Sequence, residues 1–182
     1  MNLANRITIL RIILIPVFML AMLIEFPFHM EVSLALFILA AITDNIDGYI
    51  ARKYKLITNF GKFIDPLADK LLITGALVIL VQIDRIEAWI VFIILAREFA
   101  VTGLRSLAAA QDVIIAASNF GKIKTVSQIV AICILIVDNF PFSYINIPMN
   151  TISVYFALAM TVMSGVDYFY KNRGIVITQS KS

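Results

Sequence analysis

Long apolar runs, interrupted at short intervals by polar residues or proline, make up most of the chain. Each run has roughly the length of a helix that crosses a bilayer, which takes about 17–25 residues. The runs cover residues 7–25, 31–53, 62–82, 86–110, 122–139 and 147–170. This pattern predicts an all-α, polytopic membrane protein with six transmembrane helices and a short N-terminal interfacial segment.

The composition supports a lipid environment. Of the 182 residues, 61% are hydrophobic and 15% are charged. Soluble domains are about 45–50% apolar and about 25% charged, so this surface is too apolar to face water. Six spans with short connections leave no room for a separate soluble domain. We therefore expect one membrane domain over residues 1–176, followed by a polar, disordered tail at 177–182.

Basic residues collect at one set of helix ends. The opposite ends carry mostly acids, with Arg85 as the only base there. The positive-inside rule then places both termini and the basic connections in the cytoplasm, with the protein as a multi-pass component of the plasma membrane. The net charge of +3 is explained by this topology, so nucleic acid is not an expected partner. Aromatic residues near segment ends fit interfacial positions: Trp89, Tyr144, Tyr168 and Tyr170.

Four aspartates are concentrated around the connection between the second and third segments. Asp44 and Asp47 are three residues apart, and Asp65 and Asp69 are four apart, so each pair shares one helix face. A short turn over 54–60 makes the two helices antiparallel neighbours. All four carboxylates are therefore predicted to converge.

Converging carboxylates repel one another, and burying each charge in a membrane costs free energy. A divalent cation offsets both effects, and oxygen ligands favour Mg²⁺, Mn²⁺ or Ca²⁺. Two alternatives stay open from the residues alone. The acids could pair with Lys62 and Lys70 to hold helices together, or they could line an ion pathway as in a cation transporter.

Small residues accompany these acids. Gly48, Ala51 and Gly61 would open a groove beside the carboxylates, in which a bulky ligand such as a nucleotide pyrophosphate could approach the backbone. Arg52 is placed to pair with phosphate groups.

The order Asp-x-x-Asp-Gly-x-x-Ala-Arg, eight residues, then Gly-x-x-x-Asp-x-x-x-Asp resembles the signature of the CDP-alcohol phosphotransferases. The resemblance implies six transmembrane helices, a homodimer and a centre of two Mg²⁺ or Mn²⁺ ions. It implies that Asp69 is the general base and that the CDP site is lined by five residues. The implied metal ligands are Asp44, Asp47, Asp65 and Asp69, and the implied CDP-binding residues are Asp44, Gly48, Ala51, Arg52 and Gly61.

A second group of charged residues lies downstream. Arg97 and Arg105 are about two helical turns apart on the fourth segment, and Glu98 is a candidate partner for a membrane-embedded arginine. Lys122 and Lys124 follow at the start of the fifth segment. Together these cations predict a site for an anionic substrate group. The alternative is ordinary positive-inside topology with lipid-headgroup contact.

This downstream region resembles the branch of the family whose acceptor is glycerol 3-phosphate. The matching residues are Ala-Arg-Glu at 96–98, Gly-Leu-Arg at 103–105 and Gly-Lys-x-Lys-Thr at 121–125. The polar stripe Asn2, Asn5, Thr8 and Arg11 is similar too. The resemblance implies that the phosphatidyl group of CDP-diacylglycerol passes to glycerol 3-phosphate and CMP leaves. The implied acceptor-phosphate residues are Arg105, Lys122, Lys124 and Arg97.

Three other functions remain open. Another branch of the family would accept serine, inositol phosphate or a second lipid. Serine carries no phosphate and would not need the cations around Arg105. A cation transporter would not need the small-residue groove or Arg52. A membrane scaffold would leave the four converging acids unexplained.

Overall fold

The protein is helical in a computed structural model. The model describes residues 3–53, 59–109, 113, 115 and 118–174, and within these ranges it leaves out the side chains of 3–6, 44–53, 59–63, 65, 66 and 69. The described residues form six α-helices and one short 3₁₀-helix, Phe142–Ile145. The α-helices are α1 (Leu3–Leu23), α2 (His29–Lys53), α3 (Asn59–Gln82), α4 (Ala88–Ala109), α5 (Asn119–Ile136) and α6 (Met149–Lys171).

The helices coincide with the six apolar runs of the sequence, and the described ranges contain no β-strand. The all-α prediction is confirmed. By length and apolar composition, α5 and α6 qualify as membrane spans. Shorter apolar stretches lie at Ile7–Leu23, His29–Thr43 and Lys70–Gln82. The protein is therefore membrane-associated, and six crossings stay a prediction, as does the disordered tail at 177–182, which lies outside the described residues.

The expected short N-terminal interfacial segment is part of α1 in the described chain. Helix α1 runs without a break from Leu3 to Leu23. The physical reason is spacing, since Asn5, Thr8 and Arg11 recur every three residues and so continue one helix face. These polar residues lie in the first turns of α1.

Many large apolar side chains point away from the protein interior. Phe92 is 71% exposed, Val166 65% and Phe99 63%, and all three lie within helices. Apolar side chains exposed along whole helices are typical of a lipid-facing surface. This inversion of the usual burial pattern fits the apolar composition.

Contacts group the chain into two compact units. The first consists of Met1–Arg85 and Leu135–Asp138. In this unit α1 packs against both α2 and α3. The ring centroids of Phe18 on α1 and Phe37 on α2 are 5.7 Å apart. Gly75 lets α1 approach α3 closely, because a Cβ there would lie 3.2 Å from both Ile15 Cγ2 and Met19 Sδ.

Arg85, the only base predicted on the outer side, contacts the end of α5 within the same unit. Its Nη1 donates hydrogen bonds to the carbonyl oxygens of Leu135 at 2.7 Å and Ile136 at 2.6 Å. Its Nη2 lies 4.0 Å from Asp138 Oδ2. A cation at a helix C-terminus meets the negative end of the helix dipole and satisfies carbonyls that lack an intrahelical donor. Arg85 therefore has a local structural role.

The second unit consists of Ile86–Ile134 and Asn139–Ser182. Here α4 packs against α6, and Val101, Leu104 and Tyr168 form a buried cluster with Ile115 against it. Asn139 fastens the start of α6. Its Nδ2 donates to the Ile147 carbonyl oxygen at 2.9 Å, and its Oδ1 accepts from the Asn150 backbone N–H at 3.0 Å.

Candidate active site

The predicted carboxylate site lies on two helices of the first unit. Asp44, Asp47, Gly48, Ala51 and Arg52 occupy the C-terminal part of α2, and Gly61, Asp65 and Asp69 the N-terminal part of α3. Their side chains lie outside the described set, so convergence of the four carboxylates stays a prediction. Among the side chains that are described, no three histidine, cysteine or acidic residues gather as a metal site would need.

The second predicted site contains a partly buried ion network between α4 and α5. Glu98 on α4 accepts a hydrogen bond from Lys124 Nζ on α5, and Arg97 Nη1 lies 3.4 Å from the same carboxylate oxygen. Lys124 is only 5% exposed. The structure thus brings together two of the four predicted acceptor residues, and Glu98 is their common partner. A shared carboxylate lowers the cost of burying two cations in a low-dielectric region.

Arg97 also reaches α6. Its Nη2 donates to Ser164 Oγ at 2.6 Å. The adjacent Gly165 leaves room for this side chain, because a Cβ there would lie 3.1 Å from Arg97 Cγ. Ser164 is fully buried, so its hydroxyl is a polar anchor inside the helix packing. Arg97 therefore joins α4 to α6 at the level of the Glu98 network.

Arg105 contacts α6 nearer its C-terminal end. Its Nε donates to the Tyr168 hydroxyl at 3.0 Å, and its guanidinium carbon lies 5.5 Å from the centre of the Tyr168 ring. The hydrogen bond and the cation–π contact both restrict the direction of the arginine side chain. Tyr168 is 3% exposed. The residue read from the sequence as an interfacial aromatic is thus packed inside the unit, against a predicted site residue.

Lys122 differs from its neighbour Lys124 because it is exposed. It lies in the first turn of α5, where Ser118 Oγ accepts the Gly121 backbone N–H at 3.1 Å and so caps the helix. Of the four predicted acceptor residues, Lys122 and Arg105 are exposed, whereas Arg97 and Lys124 are held by Glu98.

One face of α6 is polar although it is buried. Thr161, Ser164 and Tyr168 recur at helical spacing and are 0%, 0% and 3% exposed. Thr161 Oγ1 accepts from Gln128 Nε2 on α5 at 3.0 Å. This buried polar face was not among the features predicted from the sequence. Polar residues spaced three and four positions apart within an apolar run indicate one polar helix face, so this spacing could have predicted it.

A cavity of about 240 Å³ lies beside Tyr168. Part of its wall is the ion pair of Lys171 Nζ and Asp167 Oδ1, which are 2.8 Å apart. The cavity thus combines charged groups with the buried ring that orients Arg105. Its lining consists of Val113, Ile115, Ser118, Asp167, Tyr168, Lys171 and Asn172.

The arrangement defines a class of protein: an all-helical, membrane-associated protein with four aspartates on two successive helices and a buried basic network. A model of the CDP-alcohol phosphatidyltransferase family matches residues 1–163. The chain belongs to this family, which confirms the resemblance seen in the sequence. Members of the family generally depend on a divalent metal.

Named relatives are similar over nearly the whole chain. The chain is 49% identical to the CDP-diacylglycerol–glycerol-3-phosphate 3-phosphatidyltransferase of Bacillus subtilis, over 94% of this chain and 95% of that protein. It is 42% identical to the protein of the same name from Rickettsia felis, over 92% and 93%. It is 40% identical to a probable phosphatidylglycerophosphate synthase of Mycobacterium tuberculosis, over 92% and 79%.

The ion network predicts a measurable coupling between Glu98 and Lys124. Glu98→Gln leaves the buried Lys124 and the partly buried Arg97 without their carboxylate, and the cost of breaking a fully buried pair, about 3–5 kcal/mol, is an upper bound for this loss. We expect a lower thermal unfolding temperature in detergent for this variant. We expect partial recovery in Glu98→Gln/Lys124→Met, because the second change removes one stranded charge.

Lys122→Met is the matched control, since Lys122 is exposed and lies two residues from Lys124. Its effect should add to that of Glu98→Gln without recovery. Strictly additive losses for Glu98→Gln and Lys124→Met would contradict the network.

Proposed function

We propose that the protein transfers the phosphatidyl group of CDP-diacylglycerol to glycerol 3-phosphate, forming phosphatidylglycerophosphate and CMP. The observation that carries the choice of acceptor is the group of cations on α4 and α5, where Arg105 is oriented by Tyr168, a residue that also lines a cavity with charged side chains in its wall. A phosphate-bearing acceptor matches this positive charge. The names of the relatives support the same reaction.

The aspartate set suits a divalent metal. Carboxylate oxygens are the ligands that Mg²⁺ and Mn²⁺ prefer, and the four positions lie on two successive helices. In this proposal Asp44, Asp47, Asp65 and Asp69 would hold two such ions, which when bound would neutralise charge on the donor pyrophosphate. Gly48, Ala51 and Gly61 would admit the CDP group, and Arg52 would bind its phosphates.

The chain's own residues would then carry the transfer. Asp69 accepts the proton of the primary hydroxyl of glycerol 3-phosphate. That hydroxyl oxygen forms a bond to the lipid-side phosphorus, the bond from this phosphorus to the CMP oxygen breaks, and CMP leaves. Arg105 binds the phosphate of the acceptor, and Lys122, Lys124 and Arg97 add positive charge around it.

CMP release by purified protein tests the reaction. With CDP-diacylglycerol and Mg²⁺, we expect rapid release with glycerol 3-phosphate and little with serine, inositol phosphate or free glycerol. Asp69→Asn should lower kcat on the order of 10²-fold or more, because the general base is lost. Asp84→Asn is the control, since Asp84 is exposed and outside the motif. Faster release with another acceptor, or near-normal kcat in Asp69→Asn, would reject the assignment.

Arg105→Ala should weaken the acceptor selectively. Loss of a charge-assisted contact costs about 1.5–3 kcal/mol, or roughly a 10- to 150-fold rise in the KM for glycerol 3-phosphate. The KM for CDP-diacylglycerol should barely change, and the preference for glycerol 3-phosphate over glycerol should narrow. Arg173→Ala is the control, because Arg173 is exposed and stacks on the exposed ring of Tyr170, near the last of the described residues. An unchanged preference ratio in Arg105→Ala would remove this residue from the acceptor site.

The proposal includes a multi-pass topology in the plasma membrane, with both termini and the active site cytoplasmic. It also includes a homodimer, which crosslinking in the membrane would test. For the topology, single cysteines in a Cys133→Ser background should be labelled at the termini only after the cells are opened. Labelling of a terminal cysteine by an impermeant reagent on intact cells would contradict it.

A further inference from the structure

The first turns of α1 carry a buried polar face that the proposed reaction leaves without a role. Thr8 is 1% exposed and Arg11 is 0% exposed. They continue the face formed by Ile15, Phe18 and Met22, which is buried as well. Because α1 packs against α2 and α3, this face is turned towards the two helices that carry the aspartates. Burying the charged guanidinium of Arg11 among apolar helices costs free energy, so another group of the protein must offset that cost.

The ring contact between α1 and α2 sets their register. Phe18 meets Phe37, and the two helices run in opposite directions because only residues 24–28 connect them. Seven residues make two helical turns and return to the same face. Seven positions back from Phe18 is Arg11, and seven positions forward from Phe37 is Asp44. Arg11 is therefore level with position 44 and on the facing side of its helix.

The close approach of α1 and α3 places a second aspartate position at the same level. Gly75 lies between Ile15 and Met19, and α3 runs parallel to α1. Position 69 lies six residues before Gly75 on α3, and Arg11 lies six residues before the midpoint of Ile15 and Met19 on α1. Arg11 is therefore level with position 69. Position 69 lies beside the buried residues Ala68 and Leu72 of α3.

Charge balance points to the same partners. The described acids of this unit are Glu25, Glu31, Asp84 and Asp138, and all four are exposed. A buried arginine requires a nearby carboxylate, because an uncompensated charge in a membrane bundle costs several kcal/mol. The acids of this unit that remain are the four aspartates of the motif.

We propose that Arg11 is a positioning residue of the carboxylate site: its buried guanidinium is the counter-charge of that site, at the level of position 44 on α2 and position 69 on α3. The inference rests on the proposed function, because it takes these aspartates as metal ligands. A planar guanidinium can hold two carboxylate oxygens at once and leave the other oxygens turned towards the metal. Thr8 lies one turn away on the same face and level with Asp47. The site is thus built by three helices, α1, α2 and α3.

Metal-dependent stabilisation in the absence of substrate tests this role. Thermal unfolding of the purified protein in detergent is followed while Mn²⁺ or Mg²⁺ is added. Loss of an outer partner of a ligating carboxylate typically weakens metal affinity 10- to 100-fold. We expect Arg11→Met to raise the metal concentration for half-maximal stabilisation by about this factor. Arg11→Lys, which keeps the charge without the planar fork, should lie between Arg11→Met and the unchanged protein.

Ser33→Ala is the matched control, because Ser33 is fully buried in the same unit but level with Met22 at the other end of α1. The metal concentration for half-maximal stabilisation, which we call the metal midpoint, should not change in this variant. If Arg11→Met fails to fold, Arg11→Lys alone decides the outcome. An unchanged midpoint in the folded Arg11 variants, or a higher KM for CDP-diacylglycerol with an unchanged midpoint, would overturn the inference. So would the absence of any metal-dependent stabilisation of the unchanged protein.

The two proposals fail in different ways. A protein that releases no CMP with any acceptor would reject the proposed function. The metal midpoint needs no substrate, so it would still report on Arg11 in that case.

Discussion

Charge neutralisation inside an apolar helix bundle is the constraint on which the structure depends. Water is not present to solvate an ion there, so each buried charge needs a partner from another part of the chain. Glu98 meets this need for Arg97 and Lys124 and thereby ties α4 to α5. Arg85 donates hydrogen bonds to the backbone carbonyls at the end of α5. The polar contacts that stabilise the bundle and those that build a site are therefore the same kind of contact.

The basic cluster divides into an inner and an outer part on this principle. Lys124 and Arg97 contact a carboxylate and lie inside the helix packing, whereas Lys122 and Arg105 are exposed. An exposed cation can meet an incoming phosphate without first breaking an ion pair. The buried ring of Tyr168 restricts Arg105 from behind. Rigid support of this kind lowers the entropy lost when a substrate binds.

Apolar periodicity alone was enough to predict six helices, because a helix in an apolar setting must satisfy its own backbone hydrogen bonds. The spacing of Asp44, Asp47, Asp65 and Asp69 was enough to predict a shared site, since residues three and four apart lie on one helix face. The contact of Arg97 with Glu98 was also predicted and is confirmed. The short N-terminal interfacial segment stays a prediction, and its polar residues at helical spacing extend α1 rather than interrupt it.

The sequence by itself therefore determined the helices, the family motif and the residue types of both predicted sites, all of which depend on local spacing. Only the tertiary structure decided which distant side chains meet. Tyr168 was read as an interfacial aromatic but packs against Arg105, which is 63 positions away in the chain. The burial of Arg11 and the pairing of Lys124 with Glu98 likewise depend on how whole helices align. Helical periodicity places a residue on a face, whereas the packing of side chains such as Phe18 against Phe37 selects the facing partner.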